Sequence, residues 1–68
     1  MHEYDRAIRL MADIRRSTGA PVALVTETSN LWVATTGDEP KDGSGTTACM
    51  ALEDLIVKNH LAVSLNAG

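Results

Sequence analysis

The chain has no phenylalanine, one tryptophan, one tyrosine and one cysteine among its 68 residues. Without Phe, a core must be assembled from Leu, Ile, Val, Met and Ala. A domain this short buries only about 60% of the surface its unfolded chain exposes. A deep substrate chamber would have to be carved from a core that is already small. The composition therefore argues against an enzyme with an enclosed pocket and for a single domain, residues 1–68, that works through its outer surface. A lone cysteine, Cys49, excludes an internal disulfide and fits a reducing compartment. The longest strictly apolar run is Ala48 to Leu52, far below the ~20 residues of a membrane span. Met1-His2-Glu3-Tyr4-Asp5 lacks the basic flank and apolar run of a signal peptide. The expectation is a cytoplasmic protein with no membrane association, no metal and no cofactor.

Charge is in short supply on the basic side. The net charge is −3. Residues 1–18 carry four Arg against three acids, and residues 19–68 carry two Lys against six acids. General nucleic-acid binding needs clustered Lys and Arg, so this balance disfavours it. An acidic majority suits a partner with a basic surface.

What the sequence does contain is clear periodicity. Between Glu3 and Thr18, Tyr4, Ala7, Ile8, Leu10, Met11, Ala12 and Ile14 fall on one arc at 100° per residue. Asp5, Arg6, Arg9, Asp13 and Arg16 fall opposite, which predicts an amphipathic helix ended by Gly19 and Pro21. Val22–Glu27 and Leu31–Thr36 are rich in β-branched residues and flank the polar Thr28-Ser29-Asn30, which predicts a hairpin. A two-residue turn at Ser29-Asn30 places Val22, Leu24, Leu31 and Val33 on one face; a three-residue turn places Trp32 with Leu24. The stretch Gly37–Gly45 reads as a loop by composition. Thr46 or Thr47 caps a second helix running to about Asn59, with Ala48, Ala51, Leu52, Leu55 and Ile56 as its core stripe. Met50 and Val57 lie outside that stripe. Residues 61–65 alternate as a short third strand would, or form an arm that docks on a neighbour. The fold class is α+β: a two-layer αββα(β) sandwich with both helices on one face of a small antiparallel sheet.

No catalytic motif stands out. Gly43-Ser44-Gly45-Thr46-Thr47 enters a helix but lacks the Lys of a phosphate-binding loop, and Asp38, Glu39 and Asp42 lack the spacing of a calcium loop. Cys49 near a helix start is a candidate nucleophile, but His2 and His60, the only imidazoles, have no motif relation to it. The candidate partner-binding residues are Trp32, a frequent interface residue, with the acidic loop Asp38, Glu39 and Asp42. The alternative face is Arg6, Arg9 and Arg16 on the first helix, interrupted by Asp5 and Asp13. A homodimer through an open sheet edge or through Trp32 is a further expectation.

From Leu31-Trp32-Val33-Ala34-Thr35, through a Gly/Asp loop, to Thr47-x-x-x-Ala51-Leu52-Glu53-x-Leu55, the second half of the chain resembles a HicB-type antitoxin domain. That resemblance implies a two-layer α/β fold and, as one function, neutralisation of a basic RNase toxin. The order helix, strand, strand, helix also resembles a double-stranded-RNA-binding domain. The lysines such domains place at the start of their last helix are here replaced by Thr46-Thr47-Ala48-Cys49-Met50. The leading expectation is a non-enzymatic protein–protein interaction module, a small inhibitor or accessory factor. Phages and mobile elements carry many such proteins, anti-CRISPR proteins among them, and this placement rests on association alone. Nucleic-acid binding through the arginine face is the remaining alternative.

Overall fold

The amphipathic stretch Glu3–Thr18 is a helix, α1, with the predicted bounds. The structure is a computed structural model that describes residues 3–37 and 39–63. Ala7, Leu10 and Ile14 of α1 are buried and Met11 is half-buried. Tyr4, Ile8 and Ala12, expected on the core arc, are exposed instead. The reason is geometric: α1 rests mainly on the second helix and only lightly on the sheet, so part of its apolar arc has no cover. The Thr18 hydroxyl donates to the Ile14 carbonyl at 2.9 Å. Gly19, at φ 78°, then turns the chain, as a left-handed helix end requires.

Val22–Thr28 (β1), Leu31–Thr36 (β2) and Gly43–Gly45 (β3) form an antiparallel sheet in the order β1-β2-β3. The hairpin combines the two predicted alternatives. Its turn is the two-residue one, with Thr28 opposite Leu31, but Glu27 is an extra residue that shifts the register so that Thr26 faces Trp32. Such a bulge moves every later side chain to the other face. Trp32 therefore shares the helix-facing side with Leu24, which pairs with Ala34, and with Val22, which pairs with Thr36. Thr36 is buried there, and its hydroxyl donates to the Pro21 carbonyl at 3.0 Å.

The third strand corrects the expectation that Gly37–Gly45 is loop throughout. Gly43–Gly45 pairs with β2, Gly43 opposite Ala34 and Gly45 opposite Trp32. Composition hid it because glycine usually weakens a strand. Here it is what lets the second helix approach. A methyl group on Gly43 would lie 2.2 Å from the Ala51 carbonyl oxygen and 2.3 Å from the Leu55 nitrogen. Of the expected final strand, residues 61–63 are described and form no strand; Leu61 and Val63 pack half-buried on the core. Ser64 and Leu65 lie outside the described residues.

Ala48–Lys58 is the second helix, α2. Thr47 caps it, its hydroxyl accepting the Met50 N–H at 3.1 Å. The predicted stripe Ala48, Ala51, Leu52, Leu55 and Ile56 is buried, together with Cys49. Complete burial of a side chain such as Leu52, Leu55 or Ile14 contributes about 1.5–3 kcal/mol. The helix closes with the Leu61 N–H donating to the Ile56 carbonyl at 3.0 Å and the His60 N–H to Val57 at 3.3 Å. That is the Schellman pattern, with His60 at φ 53° where glycine is usual. The result is a sheet with both helices on one face. The cluster of α1, α2 and Ala34 side chains between the layers is the core.

Candidate protein interface

The hairpin brings Trp32 to a level with Gly45, near the turn end of β2. The acidic loop leaves from the opposite end, after Thr36. Trp32 and Asp42 are thus separated by about 10 Å along the sheet, at ~3.3 Å per residue. Trp32 is half-buried against the core, where its bulk serves a chain without Phe. Asp42 is exposed and Glu39 half-buried, its N–H donating to the Thr36 carbonyl at 3.0 Å. Asp38 lies outside the described residues. The loop is fastened at its middle: the Asn59 side-chain amide donates to the Lys41 carbonyl at 2.7 Å and accepts the Lys41 N–H at 3.3 Å.

The arginines are divided as well. Arg6 is engaged in an ion pair with Glu53 of α2, so it ties the helices together. Arg16 lies 3.6 Å from Asp13. Arg9 is exposed on the crest of the helix. A phosphate-binding row would need these charges free and close together, and two of the three already have carboxylate neighbours.

Two apolar patches were less visible in the sequence. On α2, Met50 is 49% and Val57 58% exposed. They flank a shallow depression formed with Ser44, Glu53 and Asp54. Asp54 is fixed there by Lys58 at 2.9 Å and by the Ser44 N–H at 2.9 Å. The hydrogen bond donated by Lys58, and then the one from the Ser44 N–H, hold its carboxyl below the ordinary value of 3.8. On α1, Tyr4 is 72% and Ile8 65% exposed. The off-stripe positions of Met50 and Val57 were the legible signal for the first patch. Nothing in the spacing of α1 distinguishes Tyr4 and Ile8 from its buried positions.

Cys49 is buried in the core cluster. Among the described residues, no helix is long and apolar enough to cross a membrane. Among the same residues, no group of three or more His, Cys, Asp or Glu is placed to hold a metal ion. In comparisons with known proteins, the chain matches no family model, no curated protein and no solved structure.

Proposed function

We propose that the chain is a non-catalytic protein-binding module, of the small inhibitor or accessory-factor kind, that docks a partner with a basic surface on its α2–β3 face. The observation that carries this is the exposed pair Met50 and Val57, which line one shallow depression with Ser44. Glu53 and Asp54 border it but are already paired with Arg6 and Lys58, so the exposed Asp42 is the acid that meets a basic partner. Asp42 stands exposed two residues before Ser44, on the approach to the same strand. Apolar contacts ringed by charge are the usual build of a protein interface. The apolar anchors in this reading are Met50 and Val57, with Trp32 acting from within the core. An anti-CRISPR-like inhibitor and a HicB-like antitoxin against a basic RNase are both members of this class. Binding of nucleic acid through Arg6, Arg9 and Arg16 is disfavoured by the Arg6–Glu53 and Arg16–Asp13 pairs.

The test is capture from the native host followed by titration of each purified captured protein against the chain. A genuine partner binds one to one, and Met50→Arg with Asp42→Lys weakens it at least about tenfold, or 1.4 kcal/mol. Equal affinity for the wild type and a folded double variant would remove this face from the function.

A further inference from the structure

We infer that the opposite side of the molecule, the outer edge of β1 together with the neighbouring flank of α1, is a surface for a second copy of this chain. The two outer strands of the sheet differ. β3 has three residues, and its Ser44 N–H is already taken by Asp54. β1 has seven residues and, among the described residues, pairs with β2 alone, so that its other edge presents backbone groups outward. An unpaired edge of that length is a template for another strand.

The flank of α1 on the same side carries the exposed apolar residues Tyr4 and Ile8, which nothing covers among the described residues. Arg6, which pairs with Glu53, marks the side of α1 that faces α2. On the far side run Tyr4, Ile8, Met11 and Arg15, at spacings of four, three and four. That is the spacing of a helix–helix seam. Between this flank and the start of β1 lies an open cleft of about 530 Å³, lined by Met11, Ala12, Arg15, Pro21 and Val22 among others.

One twofold axis perpendicular to the sheet satisfies both features. It sets β1 antiparallel to its copy and α1 antiparallel to its copy, with all four helices on one face of a six-stranded sheet. Strands ~4.8 Å apart and helices ~8–10 Å apart are compatible in such a layer. The charges select this orientation. Near its start α1 carries the exposed Asp5, and its last turn holds the exposed Arg15 and Arg16. Antiparallel helices bring opposite charges together, and a parallel pair would bring like charges together. The patch is thus self-complementary, as an isologous interface must be. A standard interface takes about 800 Å² from each partner, a modest part of the 4431 Å² this chain exposes. An extended peptide from another protein would pair with β1 but leave the seam of α1 bare.

The experiment is sedimentation equilibrium of the full chain from 5 to 500 μM, with the fold of each variant checked by circular dichroism. The expected result is a mass twice the 7.3 kDa of the chain. Ile8→Arg and Val25→Lys, both at exposed positions of this side, should each weaken the dimer at least about 30-fold. Met50→Arg on the other face should leave it intact. A monomer at every concentration overturns the inference, as does a dimer that survives Ile8→Arg or dissociates with Met50→Arg. Protection of β1 amides from hydrogen exchange that appears only when a different protein is added also overturns it, by assigning the edge to that protein. Because the partner titration above uses the α2–β3 face, a monomer that still binds its partner there rejects this inference alone.

Discussion

On the β3 side of the sheet, α2 lies almost against the backbone of Gly43, the strand is short, and Asp54 takes up the Ser44 N–H. On the β1 side, the strand is long, its edge is open among the described residues, and Tyr4 and Ile8 of α1 stand exposed. Both sides belong to one small core, yet one is closed by the chain itself and the other is not. Glycine in β3 lets α2 come in to backbone contact, while α1 rests mainly on α2 and meets β1 only lightly. Close packing fixes α2 against β3 on one side and leaves Tyr4 and Ile8 exposed on the other.

The most severe way to break this asymmetry is Gly43→Ala. The new methyl would sit 2.2 Å from the Ala51 carbonyl oxygen and 2.7 Å from the Leu55 Cα. These are backbone atoms of a helix and cannot turn aside as a side chain can. The helix must lift off the sheet, at a cost of about 3 kcal/mol or more. A domain of this length holds only on the order of 3–10 kcal/mol. Thermal and urea unfolding followed by circular dichroism should show a protein largely unfolded or lowered by that amount. A loss under about 0.5 kcal/mol would mean that α2 does not lie where the structure puts it. Ile8→Ala, on the open side, should change monomer stability little, because Ile8 is 65% exposed.

The same contrast explains what was legible in the sequence. Both helices and the β2 strand were readable to within a residue or so at either end, because their apolar periodicity and caps are local signals. A cap at Thr46 or Thr47, and Met50 and Val57 as outward residues, followed from the same spacing; the structure selects Thr47. The strand Gly43–Gly45 was not legible. Its pairing is long-range, and its glycines, which look like loop residues, are selected by a helix that lies elsewhere in the chain. The side of Trp32 was undecidable because it hangs on one bulged residue, Glu27. The exposure of Tyr4 and Ile8 was hidden for a related reason. Periodicity shows which face of a helix is apolar but not how much of that face a neighbour will cover.

The closed side can also be tightened. His60 holds φ 53° at the end of α2, a conformation that costs a residue with a Cβ about 1–2 kcal/mol. Glycine adopts it freely but loses more chain entropy on folding. His60→Gly should therefore raise stability by a net 0.5–1 kcal/mol or so, read as a higher urea midpoint with an unchanged slope. The gain should leave sedimentation of the chain unaltered, because His60 lies just past the end of α2 and not on the β1 edge. A variant less stable than the wild type would show that the imidazole has a partner worth more than the strain.

The smallest expected effect probes the lock on the β3 edge. In Asp54→Asn an oxygen remains to accept the Ser44 N–H, so the change removes the negative charge while keeping an acceptor in place. The Asp54 carboxyl is depressed by Lys58 and Ser44 in the folded chain. A depressed acid contributes stability above its unfolded value and loses it as pH falls through its folded value. The wild type should therefore exceed Asp54→Asn by a constant margin near neutral pH. That margin should shrink below about pH 4 and close once the carboxyl is protonated in both states. Because the pair is partly solvated, the margin should stay below about 1 kcal/mol. Paired urea melts at pH 7 and pH 3 measure it directly. A gap that persists unchanged into acid would place the effect in packing rather than charge, and the β3 edge would then be held by shape alone.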